Sequence, residues 1–115
     1  MKKHNREMFN DGVVNVCSTE KRRIKKDIAV IRFGLRTVGV KRFYEAKIAG
    51  SRVDRLISVP INNIITGSSL LIINNTQYEV EQIQEKYDTV PPAMYITLRE
   101  PATAYTDERG QNDNV

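Results

Sequence analysis

Alternating apolar and polar side chains recur through the first half of the chain and predict β-strands. With a period of two, successive side chains point to opposite faces of a sheet. Residues 12–17 are a short β-branched run, and in residues 28–35 one face carries Ala29, Ile31, Phe33 and Leu35. In residues 52–60 one face carries Val53, Arg55, Ile57 and Val59. Asp54 and Ser58 point to the other face. Three strands are predicted from this half.

The second half predicts a hairpin around two asparagines. The continuous apolar run Leu70–Ile73 comes immediately before Asn74 and Asn75, and a second arm follows at residues 76–85. Asparagine tolerates positive φ, so the pair suits a tight hairpin turn. A change of apolar phase after Val80 indicates a β-bulge in the second arm.

One more strand and one helix complete the predicted fold. Two prolines in residues 88–92 break the hairpin arm, because proline has no N–H for a ladder, and residues 94–98 then alternate as a last strand. Between Gly39 and Gly50 the spacing changes to that of one helical stripe, formed by Val40, Phe43, Tyr44 and Ile48. The prediction is a mainly β fold, a small six-strand β-barrel or sandwich with one short α-helix.

Length and composition indicate one domain with a modest aliphatic core. The chain has 115 residues, of which 40% are hydrophobic. Residues 1–11 and 102–115 are mostly polar and are predicted to be mobile tails around a domain at residues 12–101. No apolar run approaches the roughly 18 residues of a membrane helix, and with one cysteine no internal disulfide forms. We therefore expect a protein made inside the cell, with no membrane contact.

Charge divides the sequence into a basic and an acidic half. Residues 1–55 carry 15 Lys+Arg against 6 Asp+Glu, and residues 56–115 carry 3 against 8. Five cations fall between two predicted strands and predict an exposed basic loop: Lys21, Arg22, Arg23, Lys25 and Lys26. Such a loop is typical of a solvated surface, of DNA proximity or of protein docking, and charge alone does not choose among them.

Candidate catalytic chemistry is sparse. His4 stands alone in a predicted tail, and Cys17 lies among valines, where a thiol usually behaves as a small buried hydrophobe. Carboxylates on the wet face of a strand or nearby are typical of solvation or a subunit contact: Glu79, Glu81, Glu85 and Asp54. No phosphate-binding glycine pattern is present. We expect no enzyme activity, no cofactor and no metal site.

Several segments together resemble one family. They are Phe33-Gly-Leu-Arg-Thr-Val-Gly-Val-Lys-Arg-Phe-Tyr-Glu-Ala-Lys47, Arg52-Val-Asp-Arg-Leu-Ile-Ser-Val-Pro60, Thr76-Gln-Tyr-Glu-Val-Glu-Gln-Ile-Gln84 and Asp88-Thr-Val-Pro-Pro92, followed by the strand at residues 94–98. In this order and spacing they resemble the bacteriophage head–tail joining family, specifically the head-closure or stopper proteins of long-tailed phages. The resemblance covers residues 12–100 and contains no chemical motif.

The resemblance implies a β-barrel with a short helix and a long flexible loop, assembled as a homo-oligomeric ring of about twelve copies. Such a ring docks below the portal and its adaptor in the virion, after synthesis in the bacterial cytoplasm. It closes the exit channel over packaged DNA and presents the surface that the tail completion protein binds. The candidate channel loop is the polar, glycine-containing segment Arg36, Thr37, Val38, Gly39, Val40, Lys41 and Arg42. The basic loop is the second candidate for contact with DNA.

Two functions remain open from the sequence. In a head-to-tail ring, the basic half of one subunit would meet the acidic half of the next. The candidate interface residues are Phe43, Tyr44, Arg52, Asp54, Arg55, Glu79 and Glu81. The alternative is a small basic β-barrel that binds nucleic acid as a monomer.

Overall fold

The computed structural model of the chain describes residues 5–36 and 55–110, and this part is mainly β with no helix. Its strands are β1 (Asn5–Arg6), β2 (Gly12–Glu20), β3 (Arg23–Arg36), β4 (Arg55–Pro60), β5 (Leu70–Ile73), β6 (Thr76–Lys86), β7 (Thr89–Val90), β8 (Ala93–Arg99) and β9 (Thr106–Asp107). The mainly β prediction is confirmed. The helix predicted between Gly39 and Gly50 lies outside the described residues.

Six of the strands hydrogen-bond in a closed ring. The order is β2–β5–β6–β8–β4–β3, and β3 pairs back onto β2, with every pairing around the ring antiparallel. These six are the strands that the sequence predicts, five from alternation and β5 from its continuous apolar run. The two-residue strands β1, β7 and β9 were not predicted, because two residues are too few for a periodic pattern.

The interior of the ring is filled by mainly aliphatic side chains, with Phe33 and Tyr78 among them, and all six strands contribute. The main core cluster comprises Val14, Val16, Phe33, Ile57, Val59, Ile65, Leu71, Ile73, Tyr78, Val80, Met94, Ile96 and Leu98. Ala29 and Ile31 pack against it, as their predicted face requires, whereas Leu35 is 45% exposed. Burying a side chain of this size contributes about 1.5–3 kcal/mol before entropy is counted, so this cluster is the main driving force for folding.

A second, smaller core cluster lies on the outer face of β5. Leu71 and Ile73 belong to the interior cluster, but Leu70 and Ile72 pack with Cys17, Ile24 and Tyr105. All four residues of β5 are therefore buried. This explains why the strand reads as a continuous apolar run and shows no alternation.

The predicted asparagine hairpin is confirmed. β5 and β6 pair from Ile73 and Thr76 outward, and Asn74 and Asn75 have φ values of 50° and 67°. Positive φ at both central residues matches the right-handed twist of the flanking strands. The register of β6 against β8 shifts after Val80, which confirms the predicted bulge.

The basic segment is a hairpin tip and not the predicted loop. β2 continues to Glu20 and β3 begins at Arg23, so only Lys21 and Arg22 form the turn. Their φ values are 53° and 63°, a conformation that costs roughly 1–2 kcal/mol for a residue with a Cβ. Turn prediction failed here because neither residue is an asparagine or glycine. We call residues 21–26 the basic hairpin.

Residues 5–11 lie on the outer face of the ring, although they belong to the segment 1–11 that was predicted to be a mobile tail. β1 pairs in parallel with β7, and the Glu7 N–H donates to the Val90 carbonyl over 2.9 Å. Residues 5–11, here called the N-terminal strap, then pass over outward-facing positions of three paired strands: Tyr95, Ser58 and Gly34. Ser58 points away from the core, as predicted, but is fully buried because this strap covers it.

Residues 102–110 also fold onto the ring, although they belong to the segment 102–115 that was predicted to be a mobile tail. β9 pairs in parallel with β3 at Arg23 and Ile24. We call residues 101–110 the C-terminal strap. No helix in the described residues is long and apolar enough to cross a membrane.

Replacing Gly34 should loosen the N-terminal strap. A Cβ at this position would lie 2.4 Å from the Met8 carbonyl oxygen, so the backbone must shift. We expect Gly34→Ala to lower the free energy of unfolding by about 1–3 kcal/mol in urea denaturation. Gly67→Ala is the matched control, because nothing lies within 4 Å of its Cβ position, and it should change stability by less than about 0.5 kcal/mol. Equal effects of the two variants would contradict the close approach of strap and sheet.

Candidate functional site

Oppositely charged side chains meet where the basic hairpin and the C-terminal strap come together. The strap joins the open edge of β3: the Thr106 N–H donates to the Arg22 carbonyl over 3.1 Å, and the Glu108 N–H to the Ile24 carbonyl over 3.0 Å. These bonds place the acidic end of the strap beside the cations of β3. A sequence separation of more than 80 residues is bridged in this way.

Glu108 is the carboxylate on which two cations of the hairpin converge. Lys25 Nζ lies 2.8 Å from one oxygen and an Arg23 guanidinium nitrogen lies 3.4 Å from the other. The hydrogen bond from Lys25 lowers the pKa of Glu108 below its ordinary value. The two partners are respectively 41% and 60% exposed, so these ion pairs lie at the protein surface.

Arg22 and Tyr105 join the tip of the hairpin to the strap. The Arg22 guanidinium lies 4.5 Å from the centre of the Tyr105 ring and donates to the Thr103 carbonyl. Gln77 on β6 bonds the Tyr105 backbone in both directions, its Nε2 to the carbonyl over 2.9 Å and its Oε1 from the N–H over 2.7 Å. Tyr105 is therefore the anchor of the C-terminal strap.

Arg109 closes the far end of the strap. Its guanidinium donates to Asp27 on β3 and to Asp107 within the strap, each over 2.8 Å. These hydrogen bonds lower the pKa of both carboxyl groups, and the carboxylates in turn raise the pKa of Arg109. The network cross-links the strap to β3 beyond the two backbone bonds.

Two of the candidate interface carboxylates are engaged within the chain. Glu79 and Glu81 on β6 both pair with Arg99 on β8, and Glu79 also accepts the Tyr105 hydroxyl over 2.8 Å. Burial, and then this hydrogen bond, raise the pKa of Tyr105. The Arg55 guanidinium lies 5.6 Å from the centre of the Tyr78 ring. The candidate interface residues Glu79, Glu81 and Arg55 thus contact side chains of the same chain and stabilise its six-strand ring.

Glu7 is the one buried carboxylate in the described part of the chain, and it lies at the opposite end of the ring from the hairpin tip. It accepts hydrogen bonds from the Tyr95 hydroxyl and the Arg36 guanidinium, and its Oε2 lies 3.4 Å from the Ser58 hydroxyl. Arg36 is the first residue of the candidate channel loop and the last residue of β3. The N-terminal strap therefore holds the base from which that segment starts.

Cys17 is buried, as the sequence predicts. Its thiol donates to Asp27 over 3.3 Å, and burial raises its pKa to about 12. Because the thiolate is the reactive form, this cysteine is poorly suited to nucleophilic chemistry.

The remaining predicted site residues lie outside the described residues. They are His4, Thr37, Val38, Gly39, Val40, Lys41, Arg42, Phe43, Tyr44, Arg52 and Asp54. Within residues 5–36 and 55–110, no group of three His, Cys, Asp or Glu side chains is placed to hold a metal ion. An open depression of about 400 Å³ adjoins the C-terminal strap and is lined by Asn75, Thr76, Gln77, Glu100, Pro101 and Ala104.

Sequence reasoning missed the residues that organise both straps. Glu7, Tyr105 and Glu108 all stand in segments whose polarity predicted tails. One usable signal was the aromatic Tyr105 within a polar stretch, since a tyrosine commonly buries its ring while its hydroxyl finds a partner. The partners themselves come from distant strands and carry no local pattern.

Comparison of the chain with protein-family models, with curated proteins and with solved structures finds no match.

Removing the charge of Glu7 should destabilise the ring. In Glu7→Gln the Arg36 guanidinium loses its carboxylate partner in a buried setting, and we expect a loss of about 1–3 kcal/mol in the free energy of unfolding. Urea denaturation measures it, with the exposed Glu20→Gln as the control for the same chemical change. A loss no larger than that of the control would show that the Glu7 network adds nothing to stability.

Acid should release the C-terminal strap. The pKa values of Asp27 and Asp107 lie below their ordinary 3.8 in the folded chain, so their contribution to stability is complete above about pH 5 and is lost as pH falls below 3.8. We expect Arg109→Gln to lower the free energy of unfolding by about 1 kcal/mol at neutral pH, and by less at about pH 2.5.

The control for this measurement is Arg32→Gln. Arg32 also lies on β3, but none of the carboxylates in the described residues pairs with it, so its replacement should have little effect at either pH. A deficit of Arg109→Gln that persists undiminished in acid would exclude the two aspartates as its source.

Proposed function

We propose that the chain is a structural subunit of a bacteriophage head–tail connector. It would form a ring under the portal and its adaptor, close the DNA exit channel after packaging and provide the docking surface for the tail. The proposal rests on the sequence resemblance of residues 12–100. It is supported by the mainly β ring and by two exposed apolar patches on the surface of that ring.

The first patch is the structural observation that best supports the proposal. Val13 on β2 and Ile28 and Val30 on β3 are 49%, 53% and 60% exposed. They are near neighbours, because Val13 pairs with Arg32 and Val30 lies two residues before it on the same strand. Exposed apolar clusters on a small domain mark interaction surfaces when they adjoin, whereas single exposed residues do not. We call these three side chains the β2–β3 patch.

A second patch lies across the ring from the first. Tyr87 and Val90, which are 66% and 53% exposed, stand in the connection between β6 and β8. In the ring order, the β6–β8 pair is opposite the β2–β3 pair. We call these two residues the β6–β8 patch.

Patches on opposite sides of a subunit suit an oligomeric ring of subunits. In a heterologous interface one face of each subunit meets a different face of the next, and repetition of that contact closes a ring when the rotation permits. Arg32 borders the first patch, and Glu85 and Asp88 flank Tyr87 in the second. Opposite charges beside apolar contacts would set the register of such an interface.

This arrangement changes the interface expected from charge alone. The carboxylates of Glu79 and Glu81 pair with Arg99 in the same chain. Reversing their charges would therefore disturb the fold of the subunit as well as any assembly of subunits. The two patches are therefore better sites at which to test subunit contact.

The alternative function is a monomeric basic module that binds nucleic acid, and the basic hairpin favours it. Such a module would bind DNA in a salt-dependent way and remain monomeric at all concentrations. A connector subunit would instead add a ring to its partner complex.

Electron microscopy of DNA-filled, tailless heads tests the connector function directly. Heads of the phage that encodes the chain would be imaged with and without the added protein, and retained DNA would be quantified. We expect an added ring below the portal and slower loss of DNA. Heads that gain neither would refute the proposal.

Substitution of the β2–β3 patch should prevent assembly of the oligomeric ring without unfolding the subunit. We expect the double variant Ile28→Ser, Val30→Ser to keep its unfolding midpoint within a few degrees and to leave no ring on the heads. Ile64→Ser is the control, because Ile64 is also a large exposed apolar residue but lies between β4 and β5. Normal rings from the double variant would remove this patch from the interface.

A further inference from the structure

We infer that the basic hairpin is a binding surface for the phosphate backbone of duplex DNA, and that the C-terminal strap shields it. The inference holds for a ring subunit and for a monomer alike, so it does not depend on the proposed function. It rests on how the strap occupies the hairpin, which only the fold reveals.

The strap places carboxylates where a polyanion would bind. The Glu108 carboxylate pairs with Arg23 and Lys25, and the backbone of the strap covers the edge of β3 at Arg23 and Ile24. The strap contacts Arg23 and Lys25 through the Glu108 carboxylate, and Arg22 through the Tyr105 ring and the Thr103 carbonyl. It thus acts as an internal competitor for any external anion.

Part of the basic hairpin remains uncovered. Among the described residues, no carboxylate pairs with Lys21 or Lys26, and both side chains are exposed. They provide a first contact for an incoming polyanion while the strap is still in place. Arg23 and Lys25 would then join the contact with the polyanion, as its phosphates replace Glu108 as their partner.

The exchange is energetically accessible. Exposed ion pairs contribute little to stability, and the cations that Glu108 holds are 41% and 60% exposed. A polyanion gains in addition from the release of its condensed counterions. Tyr105 stays anchored by Gln77 and Glu79, so the strap can release Glu108 without leaving the ring.

The shape of the hairpin favours duplex DNA over a single strand. β2 pairs with β5 only at Asn15–Cys17, so residues 18–20 pair with β3 alone, and the tip is a narrow β2–β3 ribbon with β9 along Arg23 and Ile24 only. A two-stranded ribbon fits the major groove of B-DNA. Single-strand binding needs free aromatic faces for stacking, but Tyr105 is covered by Arg22.

Fluorescence anisotropy with a labelled 20-base-pair duplex at low salt tests the shield. The full chain would be compared with Glu108→Gln, which removes the competing carboxylate. We expect about 2- to 5-fold tighter binding, the equivalent of one exposed ion pair. The matched control is Asp88→Asn, which changes the net charge by the same amount. Asp88 follows the end of β6, whereas Gln77, which holds the strap, lies near its start, so this variant should leave the DNA affinity unchanged. Equal affinities of Glu108→Gln and Asp88→Asn would overturn the shielding.

The surface itself is tested with Lys21→Ser, Lys26→Ser. Because neither lysine is ion-paired within the described residues, the double variant should keep its stability. We expect weaker DNA binding and a salt dependence whose slope falls by about 2, one for each lost phosphate contact. An unchanged slope would overturn the assignment of the hairpin.

Polyglutamate separates DNA from an acidic protein as the occupant. At equal concentration of charge, we expect it to compete poorly with the duplex, because it lacks the groove that receives the ribbon. If polyglutamate displaces the duplex as well as unlabelled duplex does, the surface selects acidic polypeptides and the assignment to DNA fails.

Discussion

The rest of the structure depends on the ladder between β2 and β3. This ladder closes the six-strand ring, so the interior aliphatic cluster is enclosed on all sides by paired strands. β3 also pairs with β4 through its last residues and with β9 through its first. One long strand thereby holds the core, the base of the candidate channel loop and the site of the C-terminal strap.

Both straps are attached by polar groups at opposite ends of the ring. Glu7 draws the N-terminal strap onto the outer face through Arg36, Tyr95 and Ser58. Tyr105 draws the C-terminal strap onto β6 and the basic hairpin. Hydrogen bonds to charged groups are worth more than those between neutral groups, and they bind only where donor and acceptor meet. Each strap therefore has a fixed place on the ring although its sequence is polar.

The division of charge along the sequence has a partly internal explanation. Acidic residues of the second half meet basic residues of the first half within one chain, through Glu108 with Arg23 and Lys25. Arg109 makes the converse contact with Asp27. Within residues 5–36 and 55–110, the surfaces not used by these internal contacts include the two apolar patches and the unpaired cations of the hairpin. A connector subunit would use the patches for neighbouring copies and the hairpin for DNA.

The sequence by itself determined the six ring strands, the asparagine turn, the bulge in β6 and the burial of Cys17, because period-two patterning and turn chemistry act between near neighbours. Tertiary structure alone decided that the basic segment is a hairpin tip and that the polar residues 5–11 and 101–110 lie on the ring. Lys21 and Arg22 have no intrinsic preference for positive φ, and their turn is held by β9 and Tyr105 from far along the chain. Glu7 and Glu108 likewise acquire their roles from partners on distant strands. Contacts of that kind leave no periodic trace in the sequence, because they form only when the ring has brought the strands together.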